Sequence, residues 1–79
     1  MSSTEILDDL QEIFKEVFDN PDIVIGLDSF AGDIDEWDSL SHIQLVVAIE
    51  KKYQIRFLSK EIQNWKNVKE LVASIQSKI

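Results

Sequence analysis

The sequence has no cysteine, one proline and two glycines in 79 residues. Without cysteine there is no disulfide frame, thiolate metal site or thiol nucleophile, so any sulfur chemistry has to arrive on a cofactor. The scarcity of proline and glycine, beside 44% apolar and 29% charged residues, excludes a linker or disordered tail. No run approaches the roughly 20 apolar residues that cross a bilayer. The opening Met1-Ser2-Ser3-Thr4-Glu5 lacks both the basic start and the apolar stretch of a secretion signal. A cytoplasmic protein without membrane insertion is expected. Basic side chains are also few, eight against fifteen acids, for a formal charge of −7. Such a surface repels nucleic-acid phosphates and anionic membranes and suits basic partners. At this length one domain spanning 1–79 and a monomer are expected. A chain this small has no room for a core and a roofed-over active site, so it reads as a non-enzyme.

What is present is helical periodicity. Ile6, Leu7, Leu10, Ile13, Phe14, Val17 and Phe18 make one face of a first helix over Thr4 to Phe18. Ser2 or Ser3 caps it, Glu5 is placed to close a capping box with Ser2, and Asn20-Pro21 supplies the stop. Pro21 to Trp37 sustains no helical period and reads as a long ordered loop, with Phe30 and Ile34 as its expected plugs into the core. The alternation in Asp22-Ile23-Val24-Ile25 suits a strand that has nothing to pair with. A second helix starts at the N-cap Asp38 and runs to about Tyr53. A short helix fits Ser59 to about Asn64. Asn67, with Glu70 three residues on, opens a last helix carrying Val68, Leu71, Val72, Ile75 and Ile79. The predicted fold is all-α, a small four-helix bundle with three main helices, one short helix and a long loop between helices one and two.

The second helix is apolar on two sides. At 100° per residue Leu45, Ile49 and Tyr53 form one stripe with Val46 and His42 at its edges, whereas Leu40, Ile43 and Val47 lie nearly opposite. One stripe faces the core. The other is either buried against a neighbour or offered to a partner. Trp65 is expected in the core, while the sequence leaves Trp37 open between core and partner.

Asp38-Ser39-Leu40 places a hydroxyl in the first turn of that helix, where unpaired N–H groups and the positive end of the dipole favour a phosphate. By itself this is ordinary capping chemistry. Its surroundings resemble the acyl carrier protein family, which includes peptidyl and other thiolation domains. The likeness covers nearly the whole chain: a first amphipathic helix, a long loop ending in Asp38-Ser39-Leu40, then Ile43, Leu45 to Glu50 and Tyr53. It continues through Ile55-Arg56-Phe57, a short segment around Glu61-Ile62, and a helix from Val68 to near Ile79.

That resemblance implies a carrier of acyl groups for fatty-acid or polyketide synthesis. Ser39 would be esterified by 4′-phosphopantetheine, donated from coenzyme A by a phosphopantetheinyl transferase, and the new thiol would hold acyl groups as thioesters between loading and transferring enzymes. Asp38, Leu40, Ile43, Val47, Glu50 and Ile62 would form the docking surface for partners that bring basic rims. The chain departs from the usual fatty-acid carrier in two ways: Glu36-Trp37 precede Asp38 where a Gly is usual two residues before the Asp, and Glu50 is the only acid of the second helix. Trp37-Asp38-Ser39-Leu40 with His42 looks more like specialised stand-alone carriers of polyketide, aminoacyl or cell-surface modification pathways.

Other readings compete. A peptidyl or aminoacyl carrier shares the fold, and an unmodified helical interaction module would use the Leu40, Ile43 and Val47 strip with Ser39 as a mere cap. Asp33-x-Asp35-x-x-Asp38 hints at a calcium loop, but Trp37, Asp38 and Gln44 stand where such a loop needs an oxygen ligand, a Gly and a Glu, so no metal site is expected. Ser39, His42 and Asp38 share one helical turn and cannot flank an imidazole as a catalytic triad does, so no catalytic residue is assigned. His42 is expected to be a boundary histidine bonded locally.

Overall fold

The computed structural model describes residues 2–79. Met1, which begins the stretch read above for a secretion signal, lies outside them. Among the described residues there are four α-helices and no strand: α1 Ser3–Val17, α2 Ser39–Tyr53, α3 Ser59–Asn64 and α4 Val68–Gln76. The predicted bundle is therefore the observed one. α1 packs against both α2 and α4. Ile6, Leu10, Phe14, Leu45, Ile49, Leu71, Ile75 and Val68 are fully buried between them.

Helix starts follow the capping chemistry in the sequence. The Ser2 hydroxyl accepts from the Glu5 N–H at 3.2 Å while the Glu5 carboxylate accepts from the Ser2 N–H at 3.1 Å. Asn67 accepts from the Glu70 N–H at 3.1 Å. The first two free amides of α4 are met from outside the helix: Val68 donates to the Ser29 carbonyl at 2.8 Å and Lys69 to that of Leu27 at 2.9 Å. The long loop is thereby bound to the helix it crosses.

α2 and α3 end at Tyr53 and Asn64 as expected, whereas the ends of α1 and α4 differ. α1 stops at Val17, because Asp19 adopts a left-handed conformation (φ 51°) and the Asp19 and Asn20 amides turn back to the Glu16 and Lys15 carbonyls. This Schellman closure ends the helix before Pro21 can act. α2 closes at left-handed Gln54 in a similar way. α4 ends at Gln76, which leaves Ile79 half-exposed outside it.

The loop plugs are also different. Phe30 is 45% exposed, whereas Ile23 and Ile25 are buried and Val24 between them points to solvent. The strand-like alternation is real but pairs with a side chain: Gln11 of α1 donates to the Ile23 carbonyl and accepts from the Ile25 N–H at 2.9 Å. Gln11 so replaces a neighbouring strand and sends two isoleucines inward. Phe30 precedes a 3-10 turn at Ala31–Asp33, and its ring lies so close over Gly32 that a Cβ there would come within 2.5 Å of it. Ile34 does pack against the core as expected, half-buried.

Candidate functional site

The turn before α2 is built by Asp38 and Ser41. The Asp38 carboxylate accepts the Ser41 N–H at 2.9 Å, and the Ser41 hydroxyl accepts the Asp38 N–H at 2.8 Å while donating to the Glu36 carbonyl at 2.7 Å. The Ser41 amide, then its hydroxyl, hold the Asp38 carboxyl below the usual carboxylate range. Ser41 is buried, Ser39 exposed. The two serines of this turn thus divide the work: Ser41 ties the turn, and Ser39, the first residue of α2, is left on the surface.

Ser39 lies at the edge of an open groove of about 470 Å³ whose walls include Trp37, Asp38, His42, Ile62 and Trp65. One wall belongs to the loop and α2, the other to α3 and the residue after it. The floor is an aromatic series. Trp37 meets Phe14 edge-on with centroids 5.2 Å apart, stacks with His42 at 6.0 Å, and His42 meets Trp65, which stands edge-on to Phe57 at 4.8 Å. Trp37, undecided from sequence, is thus half-buried against the core, and Trp65 packs there as expected.

His42 is bonded locally, as expected, and also across elements. Its Nδ1 accepts from the Trp37 indole N–H at 2.9 Å, and its Nε2 lies 3.2 Å from the Ile62 carbonyl oxygen, twenty residues away. An indole N–H can only donate and a carbonyl can only accept, so Nδ1 is the acceptor and Nε2–H the donor in this pair of bonds. With both nitrogens engaged, His42 is not free to take a proton from Ser39. The sequence does carry a faint signal, since Trp37 and His42 flank the capping turn five residues apart.

Leu40, Ile43 and Val47 are 66%, 61% and 46% exposed, on the side of α2 away from Leu45 and Ile49. The second stripe faces solvent, beginning one residue from Ser39. Ile62, half-buried, forms part of the groove's opposite wall. Glu50 is drawn elsewhere. Its side chain is 13% exposed, accepting from the Phe57 N–H at 2.9 Å and pairing with Arg56 at 3.4 Å, so it ties the α2–α3 loop and not the rim of the Leu40 strip. Asp33, Asp35, Glu36 and Asp38 are exposed; of these Asp38 lines the groove, and the Glu36 carboxylate accepts from the Asn20 side-chain amide at 2.8 Å. No group of three or more His, Asp or Glu side chains able to hold a metal occurs among the described residues.

The chain matches a family described as the phosphopantetheine attachment site over residues 8–75. It is 40% identical over 73 residues to an acyl carrier protein of Acidothermus cellulolyticus, covering 91% of this chain and 86% of that protein. Against an acyl carrier protein of Kineococcus radiotolerans it is 39% identical over 75 residues, 94% of this chain and 91% of the other. The solution NMR structure of a holo acyl carrier protein from Geobacter metallireducens superposes with a TM-score of 0.85 at 46% identity, over 91% of this chain and 83% of that one. A shared fold, a family match over most of the chain and relatives alike along nearly their full lengths together mean that this chain belongs to the acyl carrier protein family, whose members carry acyl groups and are not catalysts.

Proposed function

We propose that Ser39 is the attachment point of 4′-phosphopantetheine and that residues 1–79 act as a single carrier domain. The observation that carries this reading is the division between Ser41, buried in the capping turn, and Ser39, exposed at the start of α2 beside the groove. The residues suit the group: the helix N-terminus favours a phosphate diester, and the groove beside it has both apolar and polar walls for a pantetheine arm. In the attachment the Ser39 oxygen forms a bond to the phosphorus that bears pantetheine, the pyrophosphate bond of coenzyme A breaks, and the nucleotide half leaves. With both His42 nitrogens engaged, the serine proton passes to a base on the transferase. The bound group supplies the thiol that this cysteine-free chain lacks.

Partners dock on Leu40, Ile43 and Val47, with Ile62 as a second wall and the Asp33, Asp35, Glu36 and Asp38 carboxylates facing basic residues at the rim. Glu50 contributes through the loop that it holds. The reading extends to a specialised stand-alone carrier, a cytoplasmic monomer outside housekeeping fatty-acid synthesis. Two features support that narrower placement: Glu36-Trp37 before Asp38, and an exposed face of α2 without acids.

Incubation with coenzyme A and a broad-specificity phosphopantetheinyl transferase, followed by intact mass, tests the attachment. One added phosphopantetheine is expected on the wild type and none on Ser39→Ala, which keeps its fold because Asp38 and Ser41 carry the cap. An unmodified wild type, or modification that survives Ser39→Ala, would overturn the assignment.

A further inference from the structure

We infer that this carrier holds its acyl group outside the helical body, along the open groove or beyond it, and therefore serves short or polar acyl thioesters. The inference rests on Ser39 bearing the arm. From Ser39 the way toward the core runs between α2 and α3, and that seam is closed by hydrogen bonds as well as by packing. The Trp37 N–H donates to His42 Nδ1 at 2.9 Å, and His42 Nε2–H donates to the Ile62 carbonyl at 3.2 Å, so one imidazole joins the loop, α2 and α3. Behind it Trp65 stands edge-on to both His42 and Phe57, and its N–H is donated to the Ser74 hydroxyl of α4 at 2.8 Å.

An alkyl tail entering this seam has to part His42 from Ile62 and Trp37, and to turn Trp65 away from Ser74. Methylene groups replace none of those bonds, so each displaced N–H and carbonyl would be left facing hydrocarbon. Trp65 also lines both the groove beside Ser39 and a second groove, of about 390 Å³, between α3 and α4, and so stands as a partition between them. The first groove, lined by Trp37, Ile62 and Trp65 as well as by Asp38, Gln63 and His42, is open along its length, so a tail in it is covered on one side only and keeps water above it. A long alkyl chain gains little there, whereas a short or hydrogen-bonding acyl group loses nothing by staying exposed.

The test loads the wild-type protein from acetyl-, butyryl- and octanoyl-coenzyme A with the broad-specificity transferase, and confirms each product by intact mass. Two quantities are then read on each: the thermal midpoint and the rate at which hydroxylamine cleaves the thioester. The expected midpoints agree within about 2 °C across the series, and each thioester is cleaved within about twofold of the same acyl-coenzyme A, because an exposed acyl group neither stabilises the fold nor is shielded by it. A midpoint rising by about 4 °C or more from acetyl to octanoyl, or cleavage of the octanoyl form slowed about tenfold, would mean that the tail enters the body and would overturn the inference while leaving Ser39 as the attachment point. Absence of any mass gain would overturn the Ser39 reading, and this one with it.

Discussion

Replacing His42 with Ala tests how far the seam beside Ser39 depends on one side chain. The change removes two hydrogen bonds, from the Trp37 indole and to the Ile62 carbonyl, and the ring that stacks on Trp37 and meets Trp65. Each bond contributes about 1 kcal/mol net, and a partner left without one costs about 1–3 kcal/mol when fully buried. Trp37, Ile62 and Trp65 are only half-buried, so water reaches part of the vacated space and the lower end applies. The expected loss is about 2 kcal/mol, which in a domain of this size lowers the thermal midpoint by roughly 8–16 °C. His42→Phe restores the ring without the bonds and should recover about half of that loss. Far-ultraviolet circular dichroism during thermal and urea unfolding measures both, and tryptophan fluorescence reports on the seam because both tryptophans touch His42. A His42→Ala protein within about 0.5 kcal/mol of wild type, a typical effect for a surface substitution, would refute the claim that this residue holds the loop, α2 and α3 together.

The two sides of α2 should respond very differently to truncation: Ile49→Ala is expected to cost about 2–5 kcal/mol, while Val47→Ala removes half-exposed methyl groups, gains helix propensity and changes stability by less than about 0.5 kcal/mol. Equal losses in urea melts would deny the outward strip. Glu50→Lys should destabilise by about 1–3 kcal/mol, since the Phe57 amide loses its acceptor and Arg56 meets a like charge, whereas Glu50→Gln, still an acceptor, should cost much less. Chemical denaturation of both variants decides it, and a stable Glu50→Lys would return Glu50 to the docking rim. Tyr53 is the sole tyrosine, and burial, its bond to Asp9 at 2.7 Å and the charge on Asp9 all raise its phenol above the ordinary value of about 10. Its raised pKa contributes stability below that value and loses it at higher pH, so absorbance titration should show tyrosinate appearing only as the helical signal collapses. Ionisation near pH 10 in a still-helical protein would contradict this.

Much of the fold is legible in the sequence because local chemistry decides it. Ser2, Asp38 and Asn67 are caps in any context that lets a helix follow, and the bonds they make are those their spacing implies. The two apolar stripes of α2 are likewise a property of spacing alone, and so is the position of Ser39 in the first turn. Whether the stripe opposite Leu45 and Ile49 is covered is a matter of tertiary packing: α1 packs on the Leu45 and Ile49 side, while Leu40, Ile43 and Val47 face solvent. The loop was illegible for the same reason: Ile23 and Ile25 displaced Phe30 as its anchors because Gln11, on another element, supplied the hydrogen bonds that a strand would have needed. Glu50 and His42 read from sequence as an acid of the docking surface and a boundary histidine bonded locally. Each was reassigned by a backbone group contributed from elsewhere, the Phe57 amide for Glu50 and the Ile62 carbonyl for His42. Caps and helix faces depend on residues within about four positions of one another. The closed seam beside Ser39 depends on groups from three separated stretches of chain, around Trp37 and His42, Ile62 and Trp65, and Ser74, meeting at hydrogen-bond distance, and only the tertiary structure decides that.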